Sequence, residues 1–301
     1  MVKIRVMPTL LYKDMGLVKG MEFNSWRRTG SALQAIKVYN LRGVDELVFL
    51  DISASPANRE PDYELIDDLA DECFMPMTVG GGVKTTDHIG KLLAVGADKV
   101  AVNSHAISNP ALITEGAKSF GTQCIVVSID AFRHENGSYE VKILGGTKST
   151  GLDPVNWAKQ VEQLGAGEIM ITSINRDGTF LGYDIELTKA VSNAVSIPVI
   201  ASGGAGNYEH MAEVLRETSA SAIAAASIFH FTEQTPIEAK NISQSRALTY
   251  DFRCPKMAKF CVCVVLWRMF LDICDTVHRQ LVTHVERHQF QQLQPTAADA
   301  P

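Results

Sequence analysis

Across its 301 residues the chain is short of the features that most readily assign a class. Basic residues are not in excess. Its 28 Lys and Arg against 34 Asp and Glu leave a formal charge of −6, so no affinity for nucleic acid is implied. A mildly acidic protein still binds phosphates, through local backbone N–H groups rather than global charge. No basic segment followed by an apolar one opens the chain, so no secretory signal is visible and cytoplasm is the default expectation. Long apolar runs are also missing. The best stretch, residues 257–274, is interrupted by Lys259, Arg268 and Asp272, which argues against a membrane span. Paired C-x-x-C ligands are absent. Cys73 and Cys124 stand in apolar contexts and read as small core residues, whereas Cys254, Cys261, Cys263 and Cys274 crowd into the last fifth of the chain. Those four lie near His278, His284 and His288 without metal-ligand spacing, so no metal is expected. No motif supports nucleotide or flavin binding, and no cofactor is expected.

What the chain does have is a repeat. MPMTVGGGVK (75–84) and IPVIASGGAG (197–206) carry the same pattern about 120 residues apart. At the same offset DELVFLDISAS (45–55) lies over GEIMITSINRD (167–177), and GADKVAVNSHAI (96–107) over TSASAIAAASIF (218–229). Near the start VMPTLL (6–11) lies over VVSID (126–130), which sets Leu11 against Asp130. Three apolar runs repeated in one order point to two fused half-units, and two similar sets of loops predict a two-ended ligand site.

Short runs rich in Val and Ile recur every 20–30 residues: IRVMPTLL, ELVFLDIS, PMTVGG, KVAVNS, CIVVSID, EIMITSI, PVIASGG and AIAAASIF. Continuous runs of this kind suit strands buried on both faces. Helix-like stretches lie between them, such as residues 31–43, with Ser31 at the N-cap and Gly43 at the C-terminal end, and residues 153–167. Eight strands alternating with helices predict an α/β fold, a (βα)₈ barrel with a two-fold half-barrel repeat over residues 1–240. Residues 241–301 read as different material, rich in Cys, Gln, His and Arg. That tail is either a partly helical or disordered extension packed on the barrel or a partner, or a non-native ending.

In such a barrel, function sits at the C-terminal ends of the strands. Here those ends are polar or glycine-rich: Asp51, Gly80–Gly82, Asn103–Ser104, Asp130, Thr172–Ser173 with Asp177–Gly178, Ser202–Gly204 and Ala226–Ser227. Gly81 and Gly82, and again Gly203 and Gly204, let backbone N–H groups approach an anion, although a tight turn alone would also select glycine. Asp130 at the end of a buried strand reads as a general acid/base or as half of a structural salt bridge. Lys19, in the first loop, either contacts substrate or is solvated. Thr172 and Ser202 would be hydroxyl donors beside the reacting centre.

FLDISAS, TVGGGVK, GADKVAVNS, CIVVSIDA, TSINRDGT, GYDIELTKAV, IPVIASGGAG and AAASIFHF together resemble the cyclase subunit of imidazole glycerol phosphate synthase, over about residues 3–240. The resemblance implies ammonia, made by a glutamine amidotransferase partner, passing through the barrel to a bisphosphorylated ribulosyl substrate. It implies a catalytic acid at Asp130, a loop lysine at Lys19 and phosphate-binding positions around Gly82, Asn103, Asp177, Gly178, Gly204, Ala226 and Ser227. It also implies an ammonia gate of alternating charge at Arg5, Glu46, Lys99 and Glu168, unless those charges are mere stability pairs, and partner docking at Asp98.

The chain departs from the family pattern at its first catalytic aspartate, which falls on Leu11, and after strand 6, where Asn175 stands for aspartate. Leucine neither takes nor gives a proton, so a division of labour between two carboxylates is missing. An intact gate beside a lost acid, together with RVMPTLLYKDMGLVKG and NSWRR (24–28), resembles a divergent branch linked to amidation of surface-polysaccharide sugars. There a sugar amidotransferase would receive the ammonia. An authentic histidine-pathway cyclase and a non-catalytic activator of the glutaminase are the competing expectations.

Overall fold

The computed structural model describes residues 4–232 and 234–241. Eight parallel strands form a closed barrel: β1 Arg5–Lys13, β2 Leu47–Asp51, β3 Met77–Gly80, β4 Lys99–Val102, β5 Ile125–Arg133, β6 Glu168–Ser173, β7 Val199–Ser202 and β8 Ala222–Ala225. Each pairs with the next in sequence, and β8 closes on β1 with Arg5 opposite Ala222. The predicted (βα)₈ architecture is the observed one. Helices on the outside, such as Tyr63–Asp71, Thr86–Ala94 and Pro154–Leu164, cover the outer strand faces with Ile66, Leu69, Ile89, Leu92, Trp157 and Val161.

Local chemistry fixes the helix ends. Asp153 is the N-cap of Pro154–Leu164, its side chain accepting from the N–H of Asn156, and Gly165 ends the helix at φ 100°. Ser31 does occupy the N-cap of Ala32–Leu41, but its side chain makes no capping bond. Gly43, one residue past the C-cap, has the expected left-handed backbone at φ 57°. Residues 236–241 form a helix beginning at Pro236, and Lys240 reaches Asp45 at 2.6 Å. Every expectation for the tail beyond this point lies outside the described residues, including those for its cysteines and histidines.

Two hairpins alter the sequence-based picture. GLVKG, expected in a loop, is part of strand Gly16–Met21, which runs antiparallel to β1 and pairs with Asn24–Gly30. A second hairpin, Tyr139–Ile143 with Lys148–Ser149, extends β5 in the same way. The half-barrel repeat is therefore visible in three dimensions. β1 and β5 both run on into hairpins, β3 and β7 both end in glycine turns, and β4 and β8 both lead into short helices, Ser104–Ser108 and Ser227–Phe231. Cys73 and Cys124 are half-buried rather than core residues.

Inside the barrel an apolar layer of Met7, Val48, Ala101, Val126, Met170, Ile200, Ala222 and Ala224 separates the two ends. Met7 is fully buried there and has no room to be replaced by solvent. Met7→Ala is expected to lower stability by about 2–5 kcal/mol, through lost burial and a residual cavity, as read from urea unfolding.

Candidate active site

The C-terminal ends of the strands and both hairpins enclose a cavity of about 600 Å³. β-Register builds one wall of it. Thr172 on β6 lies opposite Asp130 on β5 and opposite Ser202 on β7, so the three form one row across adjacent strands. All three line the cavity, with Leu11 and Leu50 on β1 and β2 forming an apolar section of the wall.

Asp130 is buried, and Asn103 Nδ2 donates to its Oδ2 at 2.7 Å. Among the described residues no cation lies within ion-pair distance, so the salt-bridge expectation is overturned. Burial pushes its pKa up to about 7. The Asn103 hydrogen bond opposes that shift, and the charge of Asp177 adds to it. A carboxyl balanced near neutrality can hold a proton or accept one at working pH. Asp51 at the end of β2 behaves differently. Its Oδ1 accepts from Ser53 N–H at 2.9 Å and from Ser53 Oγ at 2.6 Å, so it shapes its own loop.

Lys19 is neither in a loop nor solvated. Its buried ammonium donates to both carboxylate oxygens of Asp177 at 2.7 Å. The first hairpin is further tied to the loop after β6 by Glu22 N–H donating to the Asp177 carbonyl at 2.8 Å. Gly178 has φ 75°, and a Cβ there would meet the Gly20 carbonyl at 2.1 Å, so only glycine lets the hairpin lie this close.

Gly81, Gly82, Gly203 and Gly204 all have positive φ and line the cavity. Close packing against neighbouring loops already demands glycine at Gly81, where a Cβ would sit 2.3 Å from the Asp51 carbonyl, and at Gly204, 2.2 Å from that of Gly182. The tight-turn reading and the anion reading are therefore compatible. The N-caps Asn103 and Ala226 of the two short helices make no side-chain capping bond. Asn103 Oδ1, Ser227 Oγ and Thr9 Oγ1 are buried without a hydrogen-bond partner, and all three residues line the cavity. Buried polar atoms left unpaired cost free energy, and here they face a space that a polar ligand would fill.

Residues that sequence reasoning passed over also line this space: Thr9, Lys13, Phe23, Asn24 and Trp26 from β1 and the first hairpin, and Leu144 and Thr147 from the second. Only the second hairpin had plain signals, the Asn136–Gly137 turn that joins β5 to Tyr139–Ile143 and the Gly145–Gly146 turn that joins Tyr139–Ile143 to Lys148–Ser149.

At the opposite end of the barrel the four predicted charges come together in a closed ring. Arg5 meets Glu46 at 2.7 Å and Glu168 at 3.0 Å, and Lys99 meets the same two carboxylates at 2.7 Å and 3.0 Å. Thr78 Oγ1 also donates to Glu46, at 3.0 Å. Asp98 lies beside this end, exposed, its carboxylate accepting from Met77 N–H at 2.8 Å. Among the described residues no cluster of His, Cys, Asp and Glu could hold a metal ion, and no helix is long and apolar enough to cross a membrane.

The raised pKa of Asp130 has a stability consequence. Its folded value lies above the ordinary 3.8, so the folded state holds a proton that the unfolded chain has released, and stability falls as pH rises from about 4 through 7. Asp130→Asn is expected to be nearly neutral at pH 4. At pH 8 it should stabilise the protein by an amount on the order of a few kcal/mol, as checked by denaturant unfolding at both pH values.

The chain matches the family model described as "Histidine biosynthesis protein" over residues 5–235. It is 46% identical over 248 residues to the imidazole glycerol phosphate synthase subunit HisF of Streptococcus mutans serotype c, covering 82% of this chain and 99% of that protein. It is 51% identical over 241 residues to the HisF subunit of Caulobacter vibrioides strain NA1000 / CB15N, covering 80% of this chain and 93% of the relative. A closed barrel with a buried, proton-balanced aspartate at its mouth and these matches along most of its length lead to one conclusion: the chain belongs to the HisF family of imidazole glycerol phosphate synthase cyclase subunits.

Proposed function

We propose that this chain is the cyclase subunit of a glutamine-dependent synthase and catalyses a lyase-type ring closure that makes the imidazole glycerol phosphate named in its relatives. Ammonia released by a glutamine amidotransferase partner, docked near Asp98, enters at the charged ring and crosses the apolar layer to the mouth. The ring suits this task. Each carboxylate is shared by two cations, so Lys99 can swing aside while Arg5 still compensates Glu46 and Glu168. Beyond it the interior is apolar, filled by Met7, Val48, Val126 and Met170, and crossing it would cost neutral ammonia far less than ammonium.

The observation that carries the reading is Asp130 with its pKa near 7, set in a row with Thr172 and Ser202 in a cavity that also holds both glycine turns. Asp130 would move the proton, Thr172 and Ser202 would orient the reacting group, and the N–H groups around Gly82, Asn103, Gly178, Gly204, Ala226 and Ser227 would receive a phosphate at each end. Asp177 would serve the site through Lys19, which it holds in place, since its own carboxylate repels phosphate.

Leu11 favours a second reading. It lines the cavity as a buried apolar residue at the position where the family resemblance leads one to expect an acid. A barrel that keeps its charged ring while lacking that acid fits ammonia delivery to a sugar-type acceptor, in concert with a sugar amidotransferase.

Turnover of the bisphosphorylated ribulosyl substrate with ammonium salts separates the two. Wild-type turnover that falls about 10²–10⁴-fold in Asp130→Asn supports the cyclase. A silent wild type that gains activity in Leu11→Asp supports the sugar reading. Silence in both sinks the cyclase. With the glutaminase present, Lys99→Met is expected to depress glutamine-dependent turnover while sparing turnover fed by ammonium salts, which enter at the mouth.

A further inference from the structure

The junction between the apolar layer and the mouth carries two hydroxyls that the proposed chemistry leaves without a task. Alternation along β1 turns Val6 and Leu10 outward, under the helices, and Met7, Thr9 and Leu11 inward. On β5 it turns Val127 and Ile129 outward and Val126, Ser128 and Asp130 inward. The repeat that sets Leu11 against Asp130 therefore also sets Thr9 against Ser128. Three strands lie between β1 and β5 in either direction round the barrel, so the two hydroxyls stand on opposite walls.

Register fixes their height. Thr9 lies opposite Val48 and Ser128 opposite Met170, and both partners belong to the apolar layer. Ala101, Met170 and Ala224 are members of that layer and also line the cavity, so the cavity reaches down to it. Thr9 and Ser128 line this floor, one inward step below Leu11 and Asp130, and each is only 7% exposed. Thr9 Oγ1 has no hydrogen-bond partner. Valine would fill nearly the same space without burying an unpaired hydroxyl, so packing does not account for threonine here.

We infer that Thr9 and Ser128 form a receiving site for ammonia where the apolar interior opens into the mouth. Each hydroxyl can donate to the lone pair of ammonia or accept one of its N–H groups. Neither is acidic enough to protonate it, so the molecule stays neutral and nucleophilic. A phosphate does not suit this level. Its neighbours Val48, Ala101, Met170 and Ala224 are hydrocarbon and would leave a dianion uncompensated, whereas the glycine turns at the rim offer backbone N–H groups. The inference rests on the barrel carrying ammonia to its mouth, as proposed above, but not on which acceptor consumes it.

Urea unfolding of the full-length protein, in ammonium chloride against sodium chloride at equal concentration, tests the site without recourse to turnover. At alkaline pH, where much of the ammonia is neutral, ammonium chloride is expected to lower the wild-type unfolding constant roughly tenfold. At acidic pH, where only ammonium is present, the two salts should act alike. Thr9→Val should fold at least as stably as the wild type in sodium chloride, since it removes an unpaired hydroxyl, and should lose part of the gain from ammonia. Thr9→Val with Ser128→Ala should lose all of it, and Thr9→Ser should keep it. No gain in the wild type, or a gain that survives in the double variant, would overturn the site and leave the cyclase to its own test. In turnover fed by ammonium salts, the double variant is expected to raise the KM for ammonia about tenfold and to leave that for the bisphosphate unchanged. A raised KM for the bisphosphate alone would assign the hydroxyls to that substrate and also overturn the site. A wild type that gains stability from ammonia yet turns over no bisphosphate would uphold the site and sink the cyclase.

Discussion

Closing eight parallel strands into a barrel removes every free edge, but it also creates a single interior that side chains must fill in layers. That constraint decides where charge can sit. At the N-terminal end, two cations and two carboxylates are brought inside and survive because each has two opposite partners at 2.7–3.0 Å. Breaking one contact leaves the others, so the ring tolerates opening in a way that an isolated buried pair would not. Above it the interior turns apolar. Above that, at the mouth, polar groups reappear without a full set of partners: the hydroxyls of Thr9 and Ser227, and the amide oxygen of Asn103. The gradient runs from satisfied charge through hydrocarbon to unsatisfied polarity, and it gives the barrel a direction.

The half-barrel repeat explains why the mouth is two-ended and also why it is not symmetric. Glycine turns, short uncapped helices and hairpins recur in both halves. The difference lies in the first strand of each half. β5 places Asp130 at the mouth, and β1 places Leu11 there. With an acid on both strands, each would raise the pKa of the other, and the pair would divide the proton work. With Leu11, Asp130 answers mainly to burial, and its pKa near 7 belongs to one residue.

Much of the frame was legible because strands buried on both faces cannot avoid continuous Val and Ile, and because a repeat doubles the evidence for each element. Asp130 stood out for the same reason, as a carboxylate ending an apolar run. The hairpins did not. Strand Asn24–Gly30 is almost wholly exposed, so nothing in NSWRRTG alternates. Lys19 could not be seen as buried, since its partner Asp177 lies 158 residues away and only the folded hairpin brings them together. Thr9 reads simply as a β-branched strand residue, and its orphan hydroxyl appears only once the cavity is drawn around it. Ser31 shows the converse: its cap position was legible, whereas its side-chain bond depends on a rotamer that sequence does not specify.

The buried pair of Lys19 and Asp177 links the roof to Asp130 beneath it. The Asp177 charge already favours the protonated form of Asp130, and Lys19 holds that same carboxylate. A phosphate received near Gly178 would bring more negative charge into the cavity and compete for the Lys19 ammonium. Both changes act in one direction, raising the pKa of Asp130 further. Anionic ligand would therefore favour the protonated aspartate, and its departure would let the pKa fall back toward neutrality. In that arrangement the hairpin does more than cover the mouth. It would set the electrostatic surroundings of a carboxyl that faces Leu11, and not a second acid, across the cavity wall.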